Sequence, residues 1–82
     1  MQGSTSQNIE ALLFHKAEAV KIRDLASSLA ITKEEVEEAL NELEKKLEGR
    51  GVTLMRNDAA VMLSTTPQTA VLIEKLIKDE LD

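Results

Sequence analysis

The stretch TKEEVEEALNELEKKLEGRG, residues 32–51, carries both a start signal and a stop signal for one helix. Thr32 and Glu35 match the capping-box pattern, in which each side chain binds the backbone N–H of the other residue. Four apolar residues then follow at spacings of four, three and four: Val36, Leu40, Leu43 and Leu47. Gly49 and Gly51 end the helix, since glycine adopts the left-handed backbone of a helix C-terminus at little cost. The pattern predicts a helix with one apolar stripe, which must pack against other elements.

Shorter elements are predicted before this helix. Residues 8–18, NIEALLFHKAE, have apolar side chains at the three- and four-residue spacing of an amphipathic helix, with Ser6 or Thr5 as its cap. Residues 20–22 are two β-branched residues around a lysine, too few for more than an edge strand. Residues 23–30, RDLASSLA, are expected to form a second helix with its leucines facing inward.

Two strands and a last helix are predicted after it. Residues 52–56 and 61–65 alternate as strands do, and the Asn-Asp-Ala-Ala sequence between them favours a turn. Thr66-Pro67 is typical of a helix N-terminus, because proline suits the first helical position. Residues 67–81 are therefore predicted to be helical.

This order of elements predicts a winged helix. The fold is mainly α, with a helix-turn-helix at residues 23–47, a small antiparallel two-stranded β wing and an extra C-terminal helix. We expect a disordered lead-in at residues 1–7 and the winged-helix domain at residues 8–66. At residues 67–82 we expect a helix that packs on the domain or on a partner. Several unrelated functions use this architecture, so the fold alone does not decide among them.

Charge limits the classes of function. The formal net charge is −5, and residues 33–48 hold seven Glu against three Lys, a net charge of −4. Non-specific affinity for nucleic acid comes mainly from Lys and Arg that neutralise phosphates. Phe14 is the one aromatic residue on which a base could stack. Direct DNA binding is therefore disfavoured. The alternative function, a winged-helix DNA-binding transcriptional regulator, would depend on four cations expected near the wing: Lys45, Lys46, Arg50 and Arg56.

No catalytic, metal or cofactor site is predicted. The chain has no cysteine and a single histidine, His15, whereas a zinc site needs three or four protein ligands. A nucleophilic triad needs an oriented base beside its nucleophile, and Ser27 and Ser28 on a helix indicate none. The sequence contains no apolar stretch of the roughly 20 residues that span a membrane. A chain without cysteine also fits a reducing cytoplasm, so we expect a cytoplasmic protein that is not an enzyme.

The last helix has more apolar residues than one packed face needs. A helix packed on its own domain is apolar over little more than about 100°, and excess apolar surface on a terminal helix marks a partner. Strand alternation also points two methionines of the wing away from the core, and methionine suits adaptable interfaces. The predicted protein-interface residues are Phe14, Met55, Met62, Leu72, Ile73 and Leu76. The alternatives are a last helix packed on two sides within one chain, and ordinary scattered apolar residues on the wing.

Specific strings narrow the class of protein. They are IEALLF in the first helix, the V-x-I-x-x-L-A pattern at residues 20–26 and EGRG-V-x-L at residues 48–54. With the long acidic helix, they make residues 9–54 resemble the first winged-helix domain of the bacterial segregation and condensation protein B family. Residues 64–81, STTPQTAVLIEKLIKDEL, are similar to the wing exit and linking helix of that family.

This resemblance implies a role without enzymatic activity. Proteins of the family form homodimers, largely through this first domain, and bind the kleisin subunit that bridges an SMC ATPase. The resulting complex is the bacterial condensin, which condenses and segregates chromosomes at the nucleoid. These partners are implied by the resemblance and do not follow from composition or spacing.

Three features depart from the family pattern. Ala30 occupies the turn between the second and third helices, where the family often has glycine, and an alanine strains any left-handed backbone there. The wing tip NDAAV lacks the glycines and the aromatic residue that are usual in the family. The family has two winged-helix domains, and this sequence covers the first. We therefore expect a shortened chain or an unusually short member, without the functions of the second domain.

Overall fold

A computed structural model describes residues 4–81 of the chain and, for Leu81, the backbone alone. Its elements, in chain order, are α1 (Thr5–Lys16), β1 (Val20–Lys21), α2 (Ile22–Leu29), α3 (Lys33–Lys46), β2 (Val52–Arg56), β3 (Ala60–Thr65) and α4 (Pro67–Leu81). This order confirms the predicted winged helix. Within the described residues, no helix combines the length and the apolar character needed to cross a bilayer.

Helix α3 packs against both α1 and α2. Its capping box is formed, since the Thr32 N–H donates to Glu35 Oε1 at 2.9 Å and the Glu35 N–H donates to Thr32 Oγ1 at 3.1 Å. The apolar stripe is buried at Val36, Leu40 and Leu43. The predicted start of this helix and its buried face are therefore confirmed.

A single hydrophobic core lies between α3, the two shorter helices and the sheet. Burying an aliphatic side chain completely stabilises the fold by about 1.5–3 kcal/mol, so these contacts dominate the stability of the domain. The buried apolar residues outside α3 are Ile9, Leu13, Ile22, Leu25, Leu47, Leu54 and Val61. No described residue of α4 belongs to this core.

The three strands form an antiparallel sheet in the order β1-β3-β2. Strand β1 pairs with β3 through Val20 and Val61, which confirms the short edge strand. Strands β2 and β3 form the wing. The turn between them is the predicted one, because Asn57 Oδ1 accepts the N–H groups of Ala59 and Ala60, each at 2.8 Å.

The start of α1 differs from the prediction. Residues 1–3 of the expected disordered lead-in lie outside the described residues, but the helix already begins at Thr5. Its cap is Ser4 rather than Thr5 or Ser6. Ser4 Oγ accepts the Gln7 N–H at 3.2 Å, and Gln7 Oε1 accepts the Ser4 N–H at 2.9 Å. The sequence Ser-Thr-Ser-Gln is itself a capping-box pattern, so the signal for this start was present in the sequence.

Ser6 is instead a buried polar residue that joins α1 to α3. Its hydroxyl accepts a hydrogen bond from Lys46 Nζ at 3.1 Å. Lys46 also forms an i,i+4 ion pair with Glu42, at 3.2 Å. Both charged side chains are about half exposed, so this ion pair contributes at most about 1 kcal/mol to stability.

Two alanines end helices with a left-handed backbone. Ala17 follows α1 with φ 57°, and Ala30 follows α2 with φ 56°. For a residue with a Cβ atom this conformation costs about 1–2 kcal/mol, because Cβ approaches the following carbonyl oxygen. The strain expected at Ala30 is therefore present, and Ala17 adds a second strained position.

Ala30→Gly is expected to stabilise the domain by about 1 kcal/mol, because glycine removes the left-handed penalty but adds freedom to the unfolded chain. In a domain of this size that corresponds to a rise in Tm of about 4–8 °C. Thermal unfolding followed by circular dichroism measures it. Ala11→Gly, at an exposed position inside α1, is the control and should cost about 0.5–1 kcal/mol. Equal destabilisation by both substitutions would contradict the left-handed backbone at Ala30.

Candidate protein-interaction surfaces

Helix α4 joins the domain at its first turn. The Gly51 carbonyl oxygen accepts the Thr66 N–H and the Thr69 hydroxyl, both at 3.0 Å. A Cβ atom on Gly51 would lie 3.1 Å from Thr69 Cγ2, so a larger residue would require the Thr69 side chain to shift by a few tenths of an ångström. These contacts set the direction in which α4 leaves the wing.

Beyond that turn, α4 is unpacked. Every residue from 71 to 80 is exposed, and the large apolar side chains among them keep between 37% and 68% of their surface in solvent. These side chains are Val71, Leu72, Ile73, Leu76 and Ile77. At 1.5 Å per residue the helix is about 22 Å long. Within the described residues, α4 is therefore not packed on two sides by its own chain.

A second apolar surface lies between α1 and the wing, and we call it the α1–wing groove. It has a volume of about 550 Å³, and the exposed residues Glu10 and Arg50 border it. Phe14 is 79% exposed, although an aromatic ring is among the side chains that gain most from burial. The apolar residues that line this groove are Ala11, Phe14, Leu47, Val52 and Leu63.

The two methionines lie on the opposite side of the wing. Met55 and Met62 are direct cross-strand partners. Because successive strand residues face opposite sides, both point away from Leu54 and Leu63. Met55 is 57% exposed and Met62 is half-buried. The structure thus brings the two methionines together but separates them from Phe14.

The cations expected near the wing do not form one free basic patch. Arg56 Nη1 donates to Asn41 Oδ1 at 3.0 Å and to Glu44 Oε1 at 3.1 Å. Lys46 is held in its ion pair on α3, and Arg50 Nε donates to the Lys46 carbonyl oxygen at 3.2 Å. Two of the four positive charges are therefore already paired with glutamates, whereas binding to phosphate needs cations that can neutralise it.

The outward face of α3 is acidic. A DNA-reading helix presents its N-terminal residues to the base edges, and here residues 33–38 contain four Glu against one Lys. Glu34 and Glu38 are exposed. The carboxylates in the first turn stabilise the helix through its dipole, but they would repel a phosphate backbone. This face is unsuited to the major groove.

The sequence pattern alone predicts that three groove residues face the core. Leu47 continues the stripe of α3, and Val52 and Leu63 occupy the inward positions of their strands. Val52 is nevertheless 40% exposed, because the α1–wing groove, rather than a helix, lies in front of it. The alternation of apolar residues identifies the inward face of a strand. It does not show how much of that face a helix covers.

The prediction of no metal site is not contradicted by the geometry. Among the residues that the structure describes, no three His, Asp or Glu side chains converge in a group that could hold a metal ion. The prediction that the protein is not an enzyme stays a prediction.

Comparison with known proteins identifies the family. The profile of the SMC_ScpB family, the segregation and condensation complex subunit ScpB, matches residues 7–82. The chain belongs to the ScpB family. The resemblance inferred from the IEALLF and EGRG strings is thereby confirmed.

Curated proteins of the ScpB family are similar to most of this chain. Segregation and condensation protein B of Clostridium botulinum (strain Kyoto / Type A2) is 38% identical over 72 residues, which are 85% of this chain and 37% of that protein. The protein of the same name from Carboxydothermus hydrogenoformans is also 38% identical over 72 residues, 85% of this chain and 39% of that protein. The chain therefore spans less than half the length of these ScpB relatives.

A solved structure agrees with the ScpB-family fold. It is described as a dimer of the ScpB N-terminal domain complexed with an ScpA peptide. The similarity has a TM-score of 0.78 at 26% sequence identity, and it covers 87% of this chain and 91% of the solved chain. The ScpB-family domain described here thus has the winged-helix fold of that N-terminal domain.

Leu76→Glu is expected to leave this ScpB-family domain folded. Leu76 is 57% exposed, and substitutions at exposed positions usually change stability by about 0.5 kcal/mol or less. Leu43→Ala, which truncates a buried residue of α3, should instead cost about 2–5 kcal/mol. Circular dichroism during thermal unfolding of dilute protein compares the two variants. Loss of helical signal on Leu76→Glu as large as on Leu43→Ala would place α4 in the core.

Proposed function

We propose that this ScpB-family domain is a non-enzymatic protein-interaction module of a bacterial SMC–kleisin complex, the condensin. It forms a homodimer, binds the kleisin subunit, and acts in chromosome condensation and segregation at the nucleoid in the cytoplasm. The observation that carries the proposal is the exposed apolar face of α4. A contiguous apolar surface of this kind marks a site of contact with another protein.

The similar solved structure supports both partners. That protein is a dimer of the ScpB N-terminal domain with a bound ScpA peptide, and ScpA is the kleisin of this complex. In the present chain the proposed interface residues lie on α4, in the α1–wing groove and on the outer side of the wing. A domain with three separate apolar surfaces has room for both a second copy and a kleisin segment. The proposed residues are Phe14, Met55, Met62, Leu72, Ile73 and Leu76.

The free energy gained by burying the α4 face alone is marginal for a stable dimer. Complete burial of an aliphatic side chain contributes about 1.5–3 kcal/mol, so five side chains that are roughly half exposed contribute about 5 kcal/mol per copy. Two copies contribute on the order of 10 kcal/mol, whereas association costs an estimated 4–15 kcal/mol. Additional apolar surface must therefore be buried with α4 if the dimer is to be tight.

Light scattering behind a sizing column tests the homodimer. We expect a mass of twice the 9.0 kDa of one chain, and we expect Leu72→Glu to shift the protein to the monomer because it puts a charge on the α4 face. Lys78→Gln, which changes an exposed residue outside the apolar side of the same helix, is the control and should leave the dimer intact. A wild-type chain that stays monomeric at high concentration and does not bind kleisin would refute the proposal.

Calorimetric titration with the kleisin subunit of the same organism tests the second partner. We expect saturable binding with a negative heat-capacity change, the mark of buried apolar surface. Met55→Glu, on the outer side of the wing, is expected to weaken kleisin binding at an unchanged dimer mass. Unchanged affinity in that variant would remove the methionines from the kleisin interface.

Fluorescence anisotropy with a labelled DNA duplex at low salt separates this proposal from a transcriptional regulator. We expect little binding, because the outward face of α3 carries a net negative charge. Two of the four cations near the wing are also paired with glutamates, which weakens their contribution to phosphate binding. Sub-micromolar binding that weakens steeply with salt would instead favour the regulator.

A further inference from the structure

We infer that, in the dimer, α4 of each copy lies in the α1–wing groove of the other copy. This inference rests on the proposed function, since it takes the homodimer as given and names the two surfaces that meet in it. The apolar side of α4, with Leu72, Ile73, Leu76 and Ile77, is one surface. The groove around Phe14 is the other.

Helix α4 does not fill the groove of its own chain. Gly51 lines the groove and also accepts the hydrogen bonds from the first turn of α4. Residues 71–80 are nevertheless exposed throughout, so the helix leads away from the groove beside which it starts. Turning back would break the helix next to Thr66 and Thr69, whose bonds to Gly51 fix its direction. An α4 helix that enters the groove must therefore come from another chain.

The position of Gly51 favours a reciprocal exchange between two copies. In a two-fold dimer, each surface of one copy meets the complementary surface of the other. Since the helix and the groove adjoin at Gly51, one two-fold axis in this region brings both contacts together and closes the assembly at two copies. Pairing of α4 with α4 would cover the helices but leave Phe14 79% exposed.

Length and charge are compatible with this arrangement. The part of α1 that lines the groove, residues 7–14, is about 10 Å long, and the apolar face of α4 from residue 70 to residue 77 has the same length. The groove is bordered by one acidic and one basic residue, Glu10 and Arg50. Each border of the α4 face likewise carries one residue of each sign: Glu74 with Lys78, and Asp79 with Lys75. Like charges are therefore not forced together.

Charge insertion tests the groove, with a matched control on the other side of the wing. Phe14→Glu and Met55→Glu both place a carboxylate at an exposed apolar position, but only Phe14 lies in the groove. Sedimentation equilibrium should show that Phe14→Glu and Leu76→Glu each raise the dimer Kd by about tenfold or more. Met55→Glu should leave it unchanged, and circular dichroism should show all three folded. An unchanged Kd on Phe14→Glu, or an equal rise on Met55→Glu, would overturn the exchange.

Complementation distinguishes the exchange from other dimers. A mixture of Phe14→Glu and Leu76→Glu can form one contact that carries neither substitution, between α4 of the first variant and the groove of the second. Every dimer then carries two substitutions, but a contact already disrupted by one carboxylate loses less from a second. We therefore expect the mixture, with one intact contact, to dimerise more tightly than either variant alone. If α4 paired with α4, the mixed dimer would still contain the charged helix. No gain on mixing would count against the exchange.

Cross-linking identifies the surfaces directly, because the chain has no cysteine of its own. A mixture of Phe14→Cys and Leu76→Cys, treated with a short bis-maleimide, should give cross-links between the two variants. Predominant cross-linking of Leu76→Cys with itself would overturn the exchange but leave the dimer of the proposed function standing. A monomer in every condition would overturn both. Protection of the Phe14→Cys thiol by added kleisin, with the dimer unchanged, would overturn the exchange by assigning the groove to kleisin.

Discussion

The buried stripe of α3 is the constraint on which the rest of the structure depends. Val36, Leu40 and Leu43 are buried in a core that also contains residues of α1, α2 and the sheet. The reciprocal bonds of Thr32 and Glu35 fix where the helix begins. Once the stripe faces inward, the glutamates between its residues face outward. Helix α3 therefore supplies the core with its apolar side, and its acidic side repels phosphate. In winged-helix proteins that bind DNA, this second side is the one that contacts it.

Apolar surface left in water links the stability of the domain to its assembly. In the single chain, Phe14 and the large apolar side chains of α4 keep between 37% and 79% of their surface in water. Contact with a partner would bury that surface, and a partner that binds only the folded chain would also stabilise it. Because a chain of 82 residues has a small core, this added burial would be a considerable share of its stability.

The fold was largely predictable because its signals are local. The capping box at Thr32, the alternation of the strands and the Asn57 turn each involve residues within a few positions of one another. The buried hydroxyl of Ser6 was not predictable, because its partner Lys46 is forty residues away. The site was predictable in part for the same reason. The sequence shows that α4 and Phe14 supply more apolar side chains than the core needs. It does not show the groove, which forms because the fold brings α1 close to Val52.

The position of Gly51 determines the direction in which α4 leaves the domain. Gly51 binds the first turn of α4, a helix about 22 Å long. A Cβ atom on this glycine would lie 3.1 Å from Thr69 Cγ2. A change of about 10° in the angle between α4 and the domain would move the C-terminal end of the helix by about 4 Å, close to the width of a side chain. In the proposed dimer, the angle at Gly51 would therefore set where the end of α4 meets the other copy.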